Sequence, residues 1–220
     1  MYRILPLLTA AEVGECRKIA AATQFVDGRI TNPHNKSKNN QQIHDPKAQE
    51  VTAKLIGQAF GRSEEFREFA FPVAVAPPMI ARYQPSMHYG AHADAAFIQL
   101  GAATIRSDLS CTIFLSDPTT YDGGALHVRL GNASLRFKLP AGDMIIYPSD
   151  TFHEVEPVTR GTRLVAITFI QSRIADPFRR NLLFDLNEVA ALEGRKMDPP
   201  NFARLQLVQA NLLRHWSDRP

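Results

Sequence analysis

A chain of 220 residues, 45% of them hydrophobic and 21% charged, has enough apolar material for one buried core and little length for a second, which excludes a fibrous or disordered protein. The formal net charge of +3 comes from Lys and Arg that are scattered rather than clustered, a pattern that argues against a nucleic-acid partner. No apolar stretch approaches the ~18 residues of a membrane span, the N-terminus lacks the pattern of a secretory signal, and Cys16 and Cys111 form no C-x-x-C pair, so a cytoplasmic protein with reduced thiols and no membrane contact is expected.

Tyr2 to Leu8 reads as a short strand. Thr9 and Glu12 form a capping-box pattern, and Val13, Cys16, Ile19 and Ala20 carry helical spacing to about Ala22. The polar stretch from Asp27 to Asn40, rich in turn formers, reads as a loop. Asp45-Pro46 opens a second helix to about Phe60, since proline is favoured at the first helical position. From Phe71 the texture becomes extended: Phe71 to Tyr83 first, then strand-like runs at Ser110 to Leu115, Ala125 to Leu130, Ser134 to Leu139, Met144 to Tyr147 and Leu164 to Gln171. Turn signals separate these runs, and many short strands so spaced predict a β-sandwich or jelly roll. After Asp176-Pro177 helices return, one with an apolar stripe of Phe178, Leu182, Leu183 and Leu186, and a last one from about Asn201 to Trp216 carrying Phe202, Leu205, Val208, Leu212 and Leu213. The expected fold is mainly β with flanking helices (α+β). Residues 1–175 form the main domain with its N-terminal helices, and residues 176–220 form a helical extension packed on it.

Of the seven histidines, His92 alone lies two residues from an acid, in His92-Ala93-Asp94. On an extended backbone such a pair shares one face with Cα atoms roughly 6.6 Å apart, so both side chains can reach one metal at about 2.1 Å. His153, after the apolar run Met144 to Tyr147 and a turn, is the candidate third ligand. Two histidines and a carboxylate leave coordination positions open for a co-substrate and O2, an arrangement typical of non-haem Fe(II) oxygenases. An H-x-D pair alone is common by chance, and Arg163 adds the weight. An arginine opening a strand as apolar as Leu164 to Ile170 is costly to bury unpaired, so it is either exposed at the strand end or paired with an anion. The far carboxylate of a metal-bound 2-oxoglutarate would match its planar fork. Tyr83 either donates to that same carboxylate or is a core tyrosine near a strand end. His88 reads as solvent-facing or hydrogen-bonded despite sharing parity with His92, and His127 reads as structural. Arg106 either contacts substrate or faces solvent, Asp143 shapes a turn, and Gly123-Gly124 gives a tight turn or a close backbone approach.

Taken in order, Arg82-Tyr83-Gln84-Pro85, Tyr89-Gly90-Ala91-His92-Ala93-Asp94, Arg106-Ser107-Asp108-Leu109-Ser110, Tyr121-Asp122-Gly123-Gly124, Leu139-Pro140-Ala141-Gly142-Asp143, Tyr147-Pro148-Ser149, His153 and Pro157-Val158-Thr159-Arg160-Gly161-Thr162-Arg163 resemble the bacterial PKHD-type hydroxylases. These belong to the prolyl-4-hydroxylase-like Fe(II)/2-oxoglutarate dioxygenases, and the likeness continues into Asn181 to Leu186. The resemblance implies a double-stranded β-helix (jelly-roll) core, Fe(II) held by His92, Asp94 and His153, 2-oxoglutarate bound by Arg163 with help from Tyr83, and ascorbate as a supporting reductant. The implied activity is hydroxylation of a small molecule or peptide by O2, with 2-oxoglutarate decarboxylated to succinate and CO2. In one departure from the family pattern, Ala95 to Thr104 is apolar where acidic and polar residues are expected, which leaves the substrate unnamed. The residues themselves leave open a cupin-like metal-binding jelly roll without oxygenase chemistry, or a sensor using the same cleft. The apolar stripe of the last helix serves a homodimer as readily as a core.

Overall fold

The computed structural model describes residues 1–33 and 35–218; His34 lies outside the described residues. The N-terminal part runs β1 (Arg3–Pro6), α1 (Ala10–Ala22), β2 (Phe25–Asp27), β3 (Lys38–Asn39), β4 (Gln41–Ile43), α2 (Pro46–Arg62) and α3 (Glu64–Ala70). The β core follows as β5 (Pro72–Val75), β6 (Met79–Tyr83), β7 (His88–His92), β8 (Phe97–Leu100), β9 (Ala103–Arg106), β10 (Leu109–Phe114), β11 (Asp122–Gly123), β12 (Leu126–Leu130), β13 (Ala133–Phe137), β14 (Asp143–Pro148), β15 (His153–Val155), β16 (Val158–Arg160) and β17 (Arg163–Ser172). Helices α4 (Pro177–Glu193) and α5 (Pro199–Trp216) close the chain.

The helices start where side chains satisfy their first free N–H groups. Thr9 and Glu12 form the reciprocal capping box of α1, Asp45 accepts from the Ala48 amide at 2.8 Å, and Asp176 accepts from the Arg179 amide at 2.8 Å. The strands build an eight-stranded antiparallel sheet in the order β1-β14-β10-β17-β6-β4-β2, with β5 beside β17, and a five-stranded sheet in the order β13-β12-β15-β7-β3. Together they form the expected jelly roll.

Alternation along the strands divides the core in two. Met144 and Ile146 of β14, and Leu164, Ala166 and Ile170 of β17, pack with the helices. Ile145, Tyr147 and Val165 pack instead with Leu126, Val128 and Val155 of the five-stranded sheet. Strand β17 is therefore covered on both faces, which is why it reads as a nearly unbroken apolar run. Arg163 has the parity of Val165, and so belongs to the face between the sheets.

Several expectations change. Asp27 to Asn40 is not a plain loop: residues 28–31 form a 3-10 turn, and Lys38–Asn39 pair as β3 on the edge of the five-stranded sheet. The apolar segment after Asp94 forms the hairpin β8–β9. The buried face of α4 is Arg180, Leu183 and Phe184, whereas Phe178 is 73% and Leu182 44% exposed. The helix carries apolar residues on more than one side: Phe184 meets Phe69 of α3 edge-on at 5.5 Å, Leu183 lies toward α5, and Phe178 and Leu182 are left uncovered. Helix α5 lies on α4 and buries none of its residues fully; Val208, expected in its core stripe, is exposed. Arg106 is neither free in solvent nor turned to the cavity: it pairs with Asp108 at 2.6 Å and with Asp218, tying the C-terminal segment to the β core. Among the described residues no helix is long and apolar enough to cross a membrane.

Candidate metal centre

Two cross-strand pairs define the site. His92 of β7 lies opposite His153 of β15, and Tyr83 of β6 lies opposite Arg163 of β17. The first pair comes from the five-stranded sheet and the second from the eight-stranded sheet, and all four line one cavity of ≈ 480 Å³. Asp94 lines it too, from the loop just past the end of β7 rather than from the strand itself. The loop nonetheless brings it round: one ligand atom from each of His92, Asp94 and His153 lies within 4.8 Å of the others.

The hydrogen bonds behind these side chains fix what they present. His92 Nδ1 donates to the Gly90 carbonyl at 2.8 Å and His153 Nδ1 donates to the Thr151 carbonyl at 3.1 Å. A carbonyl can only accept, so each ring carries a proton on Nδ1, and the neutral form of each presents its lone pair on Nε2. Those Nε2 atoms face Asp94, at 4.0 Å for His92 and 3.5 Å for His153. The rings lie 4.2 Å apart. Burial, and then the proximity of His153, pushes the His92 imidazole down to about 4, so it stays neutral at ordinary pH. Tyr89 stacks on His92 with 3.6 Å between ring centroids, and Tyr147 meets His153 edge-on at 5.2 Å.

The carboxylate is oriented by a line of hydroxyls. Ser110 Oγ donates to Asp94 Oδ2 at 2.5 Å; Ser149 lies 2.8 Å behind Ser110, and Ser107 donates to Ser149 at 2.9 Å. With Ser110 committed to the acid, each hydroxyl has one donor direction left to it, and all three serines are buried. Two imidazoles whose Nε2 atoms converge on one fixed carboxylate suit a divalent first-row metal.

Arg163 is 1% exposed, yet its Nε and Nη1 have no hydrogen-bond partner. The guanidinium lies 4.9 Å from the Tyr83 ring centroid and 5.7 Å from that of Phe114. The Tyr121 hydroxyl nearby is also buried without a partner, and Tyr83 Oη accepts from Asn40 Nδ2 at 2.9 Å. Buried donors are rarely left unpaired, so this corner of the cavity fits an anion. Gly124 makes the fit possible: at φ +61° it passes so close that a Cβ would stand 2.8 Å from Val158 Cγ2 and 3.2 Å from Arg163 Cδ.

Other residues fall outside the cluster. His88 does not line the cavity and bonds to the Ser86 carbonyl, while His127 pairs with Glu156 at 2.6 Å. Sequence reasoning missed Lys38, Tyr89, Ser110 and Tyr147, which line or support the site. Ser110 left the clearest signal of these, because it and Thr112 are polar positions of one parity in an otherwise apolar strand, β10.

A family model described as the 2OG-Fe(II) oxygenase superfamily matches residues 78–171, a segment holding Tyr83, His92, Asp94, His153 and Arg163. A PKHD-type hydroxylase of Sphingopyxis alaskensis is 58% identical over 216 residues, covering 98% of this chain and 99% of its own. Another, from Nitrobacter winogradskyi, is 40% identical over 221 residues, covering 98% of each chain. Among solved structures, a prolyl-4-hydroxylase of Pseudomonas putida superposes with a TM-score of 0.56 at 21% identity, covering 78% of this chain and 92% of that one, and so speaks for the fold.

Proposed function

The chain belongs to the PKHD-type hydroxylases of the 2OG-Fe(II) oxygenase superfamily, and from that premise we propose that His92, Asp94 and His153 hold its iron while Arg163 and Tyr83 seat its 2-oxoglutarate. The enzyme is an Fe(II)- and 2-oxoglutarate-dependent dioxygenase. When bound, the iron with 2-oxoglutarate and O2 supplies the oxidation, in which the co-substrate leaves as succinate and CO2 and a substrate C–H bond gains a hydroxyl.

The chain's own residues prepare that chemistry. His92 and His153 offer Nε2 lone pairs because the Gly90 and Thr151 carbonyls keep the protons on Nδ1. Ser110 holds the Asp94 carboxylate toward them. Arg163 receives the far carboxylate of 2-oxoglutarate through its free donors, and Tyr83 lines the same corner. The single observation carrying this reading is a buried guanidinium with unpaired donors in the same cavity as a two-histidine, one-carboxylate cluster. Equilibrium dialysis with Fe(II) tests the ligands: His92→Ala and Asp94→Ala each lose metal. Arg163→Met keeps the metal and loses 2-oxoglutarate; loss of metal instead would make Arg163 structural.

Ascorbate supports turnover in this reading by keeping the iron reduced, so omitting it shortens the burst of succinate formation. The substrate is a small molecule or a peptide. The buried free thiols of Cys16 and Cys111 support a cytoplasmic setting. Residues 176–220 act as an extension of the 1–175 domain, and the exposed Leu207 and Val208 of α5 give a homodimer an apolar contact.

A further inference from the structure

Among the described residues, two side chains bearing a lysine or arginine cation line the cavity, Arg163 and Lys38. The first is taken by 2-oxoglutarate in the reading above, on which this inference rests; the second is left over. Lys38 stands on β3 opposite Tyr89, its ammonium 5.3 Å from that ring, and Tyr89 in turn stacks on His92. It is therefore one aromatic ring removed from the metal cluster. Only 5% of it is exposed. Its Nζ donates to Thr31 Oγ1 at 2.6 Å, which leaves two of an ammonium's three donors unassigned.

No carboxylate of the described residues lies within 4.0 Å of that nitrogen. Asp94 and Asp27 are the acids near enough to act on it. A buried ammonium with spare donors and no counter-ion is suited to an incoming anion. One side of the lining is apolar, with Phe97, Ile98 and Leu100 of the β8–β9 hairpin joined by Met79 and Phe169, while Asn32, Asn40, Gln42 and Gln49 line the cavity as amides; Phe97 is largely exposed at the surface.

We infer that Lys38 receives an anionic head group of the substrate, and that the substrate is an amphipathic acid whose apolar body lies against the β8–β9 hairpin. The head group is a carboxylate or a phosphate, which an ammonium accepts alike as a point charge.

The test uses the full chain loaded with Ni(II), which does not turn over, and saturating 2-oxoglutarate. Hexanoate, hexyl phosphate and hexanamide are titrated calorimetrically, with butyl and octyl analogues of each. At least one anion series binds tenfold or more tightly than its matched amide, and the winning series identifies the head group. Lys38→Met removes that preference, Lys38→Arg keeps it, and both retain wild-type metal content and 2-oxoglutarate affinity. Lys38→Gln replaces the methionine variant if the latter melts early. An absence of head-group preference in the wild type, or a preference surviving in Lys38→Met and Lys38→Gln, overturns the inference. Loss of 2-oxoglutarate binding in the Lys38 variants overturns it too, by making Lys38 part of the co-substrate site. A wild-type chain that takes up metal but no 2-oxoglutarate instead brings down the Arg163 assignment, and this inference with it.

Discussion

Replacing Arg163 by methionine is expected to move ligand binding and ligand-free stability in different directions. Without 2-oxoglutarate, Arg163 is a nearly fully buried cation with two unpartnered donor nitrogens, Nε and Nη1. Methionine removes that charge and keeps an apolar stem over Tyr83 and Phe114. Exchanging buried ionic groups for well-packed apolar ones is neutral or stabilising by about 1–4 kcal/mol. The lost cation–π contacts offset about 0.5–2 kcal/mol of this. A net change between zero and about +2 kcal/mol corresponds to a melting temperature unchanged or raised by up to roughly 8 °C for a domain of this size. With 2-oxoglutarate the sign reverses. Two charge-assisted hydrogen bonds at about 1.5–3 kcal/mol each are lost, which weakens co-substrate binding by about 100-fold or more. The wild-type gain of about 2.7 kcal/mol at one hundred times Kd then disappears at the same concentration. Thermal melts of the Ni(II)-loaded chain with and without 2-oxoglutarate, paired with calorimetric titration, read both effects. A variant that melts far below wild type without ligand, yet still gains the full ligand stabilisation, would refute the reasoning. Arg163→Lys, which keeps the charge and loses the planar fork, falls between the two.

Ser110→Ala leaves Asp94 without its hydroxyl donor and should weaken Ni(II) affinity by about 10–100-fold, with Ser110→Thr recovering most of it; equal affinity in all three chains would show the serine line to be irrelevant. The Glu156 carboxyl is held down to about 2 by hydrogen bonds from Arg136, with His127 adding to it. Because its folded value lies below the unfolded one of about 4.5, its contribution to stability is present above pH 4.5 and lost as the pH falls toward 2. Glu156→Gln should therefore lose about 1 kcal/mol at pH 7, Arg136 being well exposed, and match wild type near pH 2 in urea melts. Gly124→Ala forces a side chain into the left-handed region against Val158 and Arg163, and should destabilise by about 1–3 kcal/mol while raising the Kd for 2-oxoglutarate; an unchanged Kd would separate the glycine from the arginine.

The chemistry of the site was legible where a residue type has few other uses. An acid two residues from a histidine, and an arginine at the head of an apolar strand, each announce something to be explained, and both line one cavity. The helix starts were legible for a local reason, since Thr9, Asp45 and Asp176 cap within their own turn. Lys38 was not legible. Its surroundings, Asn35 to Asn40, are as polar as any surface loop, and its burial comes from β3 pairing with β7 and from the 3-10 turn folding Thr31 over it. Neither contact leaves a mark in the local pattern. The exposure of Phe178 and Leu182 was hidden for the opposite reason: α4 carries apolar side chains around much of its circumference, and only tertiary packing chooses the sides against α3 and α5.

What joins the two halves of the site is strand register. His92 meets His153 across one sheet, and Tyr83 meets Arg163 across the other, so each half is set by pairing within its own sheet. Successive side chains on a strand alternate faces, so a slip of β17 by one residue would send Arg163 to the helix-packed face and bring Leu164 into the cavity. Pairing with β6 on one side and β10 on the other holds that register, with Val165 opposite both Ala81 and Phe114. These two are buried among apolar neighbours between the sheets. Because β17 is apolar on both faces, alternation alone does not hold this register; the fit of its side chains against β6 and β10 does, and that fit keeps Arg163 aimed into the cavity lined by His92, Asp94 and His153.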